Sequence, residues 1–599
     1  MASGGKTKRK RSRAERDAGE DRSVGERPQR TVAIHAPGAE PAVIPSPDGT
    51  PTRGPKRVGR REVRAQIGRV VAALGDRDPT AVTLLDDLAG EVAAGRRAGK
   101  AADGVAAAVA RCLDEAALGP NAAGRWALAL GAAWSLAWLS HAKRPVGGAL
   151  GTRLAAEEVA AATALRGGDP DAAPLLLVLA GLFPGLAGRT SVADVSSMLA
   201  ADIAKVTVAD GGPVAGPAVA YVARVLAWTR ARQAAIDSGI GLPWDDAVES
   251  RWRSACVAAL RLLGDRGCVP GRSGPESLDT APLLTLLAES SSAPVRRTAA
   301  AVGRRRAAPS GKTLPRDAVG EGATVAVLRS DWRGSAVRLL LDFSAPRHRL
   351  EIAVRDRLVV AGDWGWSVEA DGIPLVPTGP WTVCCFESDR GSSFLEIVAP
   401  LPGGLQAERQ IVLLPRDGIL VLTDSVTDAG ACLPLSARPD RLDYRSHVPI
   451  VAEAHREEET REIRLRVHPR REWRMLPLAL PEWRAASAAG SFDEDGDVVR
   501  CRGVGHGGRF SFPVWIDLDP RRADRPLTWR QLTIADQRTN LQRHEAVGFR
   551  VQVGLEQWLL YRALDTPRNR TVLGCNVACE FLVGRVRRSG EVSRTLEIE

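Results

Sequence analysis

The feature that most constrains this chain is a change of hydrophobic period a little past residue 300. From about residue 60 to 306, apolar residues recur at helical spacing in Ala- and Leu-rich runs such as "REVRAQIGRVVAALG", "DPTAVTLLDDLAGEVAAG" and "AVAYVARVLAWTRARQAAIDSG". Gly, Pro or Asp turns interrupt them about every fifteen to twenty-five residues. Beyond "GRRRAAPSGKTLPRDAVGEG" (303–322), which has the composition of a linker, the period is two in short runs such as "TVAVLRS", "AVRLLLDF", "RQIVLLP", "GILVLTDSV" and "EIRLRVHP". A segment with one period cannot present a single apolar face in the other geometry. At 599 residues the chain also exceeds a single hydrophobic core. The pattern predicts an α+β chain of two domains: a disordered basic arm and linker (1–57), an all-α, toroid-like domain of helical hairpins (58–306), a linker (307–322) and an antiparallel β-sandwich (323–599).

A net charge of +11 favours an acidic partner: a polyanionic glycan, nucleic acid or an anionic surface. The arm carries "KTKRKRSR" with almost nothing apolar, so residues 1–30 are read as a solvated tail, with nucleic acid as the less favoured contact. No apolar core follows the basic start as in a secretory signal, and cytoplasmic residence is the expectation. The longest apolar stretches, "WALALGAAWSLAWL" (126–139) and "PLLLVLAGLFPGLAG" (174–188), fall short of the roughly 18–20 residues that cross a bilayer. They are expected as buried helices, with no membrane span.

Nine scattered cysteines offer no disulfide framework, and "CNVAC" lacks a second pair at zinc-site spacing. The sequence has no Gly-x-Ser-x-Gly elbow, phosphate loop, dinucleotide fingerprint or His-Glu-x-x-His. None of the eight histidines lies within four residues of another, so neither a metal nor a cofactor is expected. "PWDDAVES" supplies Asp245, Asp246 and Glu249. These could serve glycoside hydrolysis as an acid and a base, but their place after Pro243 fits the favourable first turn of a helix better.

Several segments, in order, resemble the heparinase II/III-like proteins: the helix–loop–helix region from Asp210 to Asp279, then "VAVLRSDW" with "VRLLLDFS", then "ERQIVLLPRDGILVLTDSV". The resemblance implies an incomplete α/α toroid joined to an antiparallel β-sandwich. In active relatives it implies β-elimination of uronate-containing polysaccharides. It also implies a catalytic Tyr-His pair opening a helix; here Tyr221 matches the tyrosine, while Val222 stands where the histidine often follows. A His-x-His-x-Asp cluster implied after the "LLLDF" strand is reduced, in "SAPRHRLEIAVRDRL", to the single His348.

Elimination needs a base for the proton α to the carboxylate, an acid for the leaving oxygen and cations to offset the carboxylate's charge. Tyr221 and His348 are therefore the candidate catalytic residues, and Arg224, Trp228, Arg329 and Trp332 the candidate substrate contacts. At 100° per residue, Val222, Val225, Leu226 and Thr229 form a stripe with Tyr221 and Trp228 on its edge, an arrangement suited either to a cleft wall or to packing. Pro217 as first helical residue would place Tyr221 near the positive helix end. Fifteen tryptophans against three tyrosines leave the indoles of turn-rich "GDWGW" open between core and sugar platform. Two functions follow: a lyase acting on an acidic polysaccharide, or a catalytically inactive relative that binds anionic glycans or serves as a structural or interaction protein.

Overall fold

The computed structural model describes residues 58–74, 78–94, 101–118, 122–140, 148–183, 190–264, 267–269, 278–303, 311–320, 324–332, 336–354, 357–429, 438–468 and 471–599. The expected basic arm lies outside them. The helices are α1 (Arg60–Leu74), α2 (Pro79–Ala94), α3 (Ala101–Leu118), α4 (Ala122–Ser140), α5 (Gly148–Arg166), α6 (Ala173–Leu182), α7 (Val192–Val206), α8 (Ala218–Asp237), α9 (Asp246–Leu262), α10 (Ala281–Ala288) and α11 (Ala293–Gly303). The strands are β1 (Ala318–Val319), β2 (Val325–Arg329), β3 (Val337–Asp342), β4 (His348–Val354), β5 (Arg357–Ala370), β6 (Ile373–Leu375), β7 (Thr382–Ser388), β8 (Ser393–Pro400), β9 (Leu405–Leu414), β10 (Ile419–Asp428), β11 (Arg441–Pro449), β12 (Glu453–Arg456), β13 (Ile463–His468), β14 (Arg471–Pro477), β15 (Gly490–Asp495), β16 (Val498–His506), β17 (Phe510–Asp517), β18 (Leu527–Gln531), β19 (Ile534–Asp536), β20 (Thr539–Asn540), β21 (Ala546–Val553), β22 (Glu556–Ala563), β23 (Arg570–Val572), β24 (Cys575–Val577), β25 (Phe581–Val586) and β26 (Val592–Ile598). The chain is thus helices first and antiparallel sheets second. β1 falls inside the stretch expected as linker, because Ala318 and Val319 pair with Val327 and Ala326.

Local chemistry explains the helix starts. Ser191 and Asp194 form a reciprocal capping box at α7. Asp245 caps α9 by accepting from the Val248 N–H, and Glu249 is drawn into ion pairs with Arg232 and Arg253, so the "DDAVES" carboxylates serve the helix. Pro217 is the cap of α8 and lies one residue outside the helix. Helix α4 is buried nearly all round, with Trp134 and Leu139 inside, as its apolar composition requires, and among the described residues no helix is long and apolar enough to cross a membrane.

The nine-stranded sheet runs β1-β2-β3-β4-β5-β11-β16-β15 with β6 on β5, and the eight-stranded sheet runs β12-β13-β14-β17-β10-β9-β8-β7. They enclose a common core in which Leu339, Leu341, Leu350 and Ile352 face Leu395, Ile411, Leu413 and Leu420. The other face of the eight-stranded sheet (Val412, Leu414, Ile419, Val421, Trp515) packs on β21, β22 and β25 of a five-stranded sheet, β18-β21-β22-β25-β26. A four-stranded sheet, β20-β19-β23-β24, covers its far side through Ile534, Val572 and Val577. Where β9 and β10 lie between two layers, over residues 411–414 and 419–422, they are apolar on both faces, so alternation does not reveal the third layer.

One face of the nine-stranded sheet meets the helices. Val325, Val327, Trp332 and Leu340 belong to the helical core. The Gly216 N–H donates to Asp342 (2.6 Å) and the Ala218 N–H to Glu351 (3.4 Å), setting two carboxylates at the positive end of α8. Arg329, fully buried, donates to the carbonyls of Arg261 (3.0 Å) and Leu263 (2.8 Å) at the C-terminal end of α9. Arg329→Met should leave both carbonyls unpaired and lower stability by about 2–4 kcal/mol in urea unfolding; a loss below about 1 kcal/mol would contradict this junction role.

Candidate functional site

The six residues marked in the sequence fall into three separate clusters. Tyr221 is 2% exposed, and its hydroxyl donates to the Gly211 carbonyl and lies 3.3 Å from that of Ala255 on α9. Burial, reinforced by Cys256 and Asp210, holds this phenol well above its usual ionisation range. Of the two arrangements the α8 stripe suits, cleft wall or packing, the structure has packing: Tyr221, Val222, Val225, Leu226, Trp228 and Thr229 are all buried. Trp228 donates its indole N–H to Asp202 (2.9 Å), and the same carboxylate pairs with Arg224, so their charge and hydrogen-bonding capacity are used within the helical half. Arg329 sits 4.6 Å over the ring of Trp332, and both are sealed at the junction instead of facing a substrate.

His348 opens β4 and is 1% exposed. Arg409 on β9 lies 3.0 Å from its Nδ1; a guanidinium only donates, so Nδ1 accepts and Nε2 carries the proton. Arg409 also donates to Asp424 (2.9 Å) and to the carbonyls of Trp364 and Gly365 (both 2.9 Å), and Asp424 accepts from the Tyr444 hydroxyl (2.6 Å). The imidazole stands edge to face with Trp381, centroids 4.6 Å apart. Burial and then Arg409 push its pKa down to about 2, so it is neutral throughout the physiological range. Among the described residues no cluster of three His, Cys, Asp or Glu side chains is placed to hold a metal. No hydrogen bond, ion pair or ring contact among the described residues joins His348 to Tyr221.

Concavities open elsewhere, among them one of about 480 Å³ lined by Arg316, Arg390, Arg416 and Asp331. One of about 550 Å³ lies in the helical half, walled by Trp126, Trp134 and Leu130; Arg69 pairs with Asp237 and Arg230 with Asp171 in its lining, which also carries Arg232, Asp279 and Glu289. Another, about 500 Å³, lies over β5, β11 and β16 and is lined by Arg445, His447, Arg500, Arg502 and Asp497. The sequence reading missed these side chains because only strand register brings them together.

No family model matches the sequence, and no curated protein matches it. Solved structures share its fold. A mutant of the heparan sulfate lyase HepC from Pedobacter heparinus has a TM-score of 0.51 at 12% identity, over 80% of this chain and 81% of that one. A heparinase III gene product gives 0.51 at 10% identity, over 85% and 91%. At such identities the likeness is one of fold.

All three tyrosines, Tyr221, Tyr444 and Tyr561, are held above the usual phenol range, chiefly by burial. Their contribution to stability is complete below the unfolded pKa near 10 and is lost as pH rises through the folded values. Alkaline titration should show no phenolate absorbance near pH 10 while the protein is folded, with ionisation arriving together with loss of circular dichroism. His348 carries the opposite sign: its contribution is full above the unfolded pKa near 6.5 and is lost as pH falls toward the folded value of about 2. Its ring proton resonances should therefore stay constant from about pH 8 to pH 5.

Proposed function

We propose that this chain, built on a fold shared with heparan sulfate lyases, binds an acidic polysaccharide and does not cleave it through Tyr221 and His348. The burial of the Tyr221 hydroxyl carries the reading. A general acid or base must reach the proton it moves, and this hydroxyl already donates to the Gly211 carbonyl inside the protein. The neutral His348 is likewise buried, with its Nδ1 accepting from Arg409. The net charge of +11 supports a polyanionic partner. Nucleic-acid contact through residues 1–30 is a separate expectation that removal of those residues would test.

The protein is incubated with a panel of uronate-containing polysaccharides, and the ultraviolet absorbance of the conjugated unsaturated product is followed. No product is expected from the wild type. Product that disappears in Tyr221→Phe would overturn the non-cleaving reading. Product that persists in that variant would place elimination on other residues and equally reject a purely binding role.

A further inference from the structure

On the outer face of the nine-stranded sheet, register sets like charges side by side. Arg445 on β11 pairs with Arg502 on β16, and His447 pairs with Arg500. Directly opposed side chains on antiparallel strands have Cβ atoms about 4.5–5.5 Å apart, and like charges there are destabilising. The flanking strands continue the two rows, and acids border them: Asp443, paired with Arg441, lies on the same face two residues before Arg445. β5 places Ser367 beside Arg445 and Gly365 beside His447, and β15 places Ser491 beside Arg502 and Asp493 beside Arg500. Asp493 is itself engaged by Arg456 (3.7 Å) and Arg484 (3.3 Å). Arg445 reaches Glu369 at 3.4 Å and Arg500 pairs with Asp495, but both arginines are exposed and such surface pairs contribute at most about 1 kcal/mol. No ion pair reaches Arg502 among the described residues.

The face also has a shape. A Cβ on Gly365 would lie 1.9 Å from Cε1 of His447, so the imidazole occupies the space that any other residue would fill. The ring thereby borders the concavity of about 500 Å³ between the rows. The same sheet face is covered by the helical half over β2 to β4, where Val325, Val327 and Leu340 are buried in its core. Arg445 and Arg500 remain 61% and 52% exposed on the uncovered continuation.

We infer that Arg445, Arg502, Arg500 and His447 form the contact face for an acidic polysaccharide, one carboxylate or sulfate seated between Arg445 and Arg502 and the next one row along. This rests on the binding function proposed above. Guanidinium forks match carboxylate and sulfate oxygens in pairs, and the rows lie two residues apart, about 6.6–6.8 Å along the strands. A glycan fits better than duplex nucleic acid. Glu369, Asp363, Asp495 and Asp497 interrupt the positive surface, which opposes a continuous ladder of one charge per roughly 1.7 Å, yet they can accept hydrogen bonds from sugar hydroxyls.

His447 adds a dependence on pH. Burial comes first, then Arg409 beneath the sheet, with Arg500 and Arg347 adding to it and Asp363 opposing; together they hold the imidazole below its usual range. A bound anion favours the imidazolium, so binding takes up a proton and strengthens as pH falls.

The test measures binding of a fluorescent heparin oligosaccharide, with duplex DNA in parallel, to wild type, Arg445→Gln/Arg502→Gln and a control of equal charge loss, Arg587→Gln/Arg588→Gln, at the β25–β26 turn. The wild type should bind heparin. The face variant should weaken by about tenfold per arginine and the control by less than about twofold. Binding by the wild type should tighten from about pH 7.5 to pH 5.5, and His447→Gln should abolish that change. A wild type that binds no acidic polysaccharide overturns the proposed function and this face with it. A wild type that binds while both double variants weaken equally overturns the face alone, leaving diffuse charge as the cause. Tighter binding of DNA through the same arginines overturns the ligand class.

Discussion

Arg409 is the constraint around which the sandwich is arranged. Its side chain is 1% exposed, in contact with Asp424, the Trp364 and Gly365 carbonyls and His348, and its guanidinium lies 4.1 Å from the Trp364 ring centroid. A buried charge is tolerable only when paired and hydrogen-bonded, and removing one partner costs several kcal/mol. Those partners come from β10 in the eight-stranded sheet and from β4 and β5 in the nine-stranded one, so satisfying the guanidinium fixes how the two sheets face each other. Tyr444 on β11 joins by sharing Asp424.

That arrangement determines what the histidine can do. An imidazole that accepts from a guanidinium is kept neutral, and this one, packed edge to face with Trp381, is buried. The helical half repeats the logic with other residues: Asp202 takes both Arg224 and Trp228, and Arg329 bonds two carbonyls at the junction. Residue types that suit elimination chemistry are here consumed in holding helices and sheets together.

The division into helices and strands was legible because each half keeps one hydrophobic period over many elements. The layering was not, since β9 over residues 411–414 and β10 over residues 419–422 are apolar on both faces and a two-sided run carries no alternation. "GDWGW" reads as a turn from its glycines, yet it lies within β5: Gly362 adopts a positive φ of 144°, and Gly365 leaves room for His447. Tyr221 was visible as an oddity of composition, but the direction of its hydroxyl depends on where α9 packs. Arg445, Arg500 and Arg502 are ordinary arginines in the sequence; only the β11–β16 register makes them neighbours.

The two sides of β5 are physically coupled through Gly365. Behind the strand its carbonyl accepts from Arg409 and from the Ser446 hydroxyl, and in front of it stands the His447 ring. Burial, and after it Arg409 as the foremost charge, hold that imidazole below its usual range. With the face empty, a neutral His447 spares the sheet a fourth positive charge among Arg445, Arg500 and Arg502, where like charges on paired strands already oppose folding. An anion seated among the arginines reverses the balance by stabilising the imidazolium it touches, and salt screens it less as the contact becomes more buried. The interior ion network that engages His348 therefore also adds, after burial, to what keeps the histidine on the opposite side of the sheet neutral.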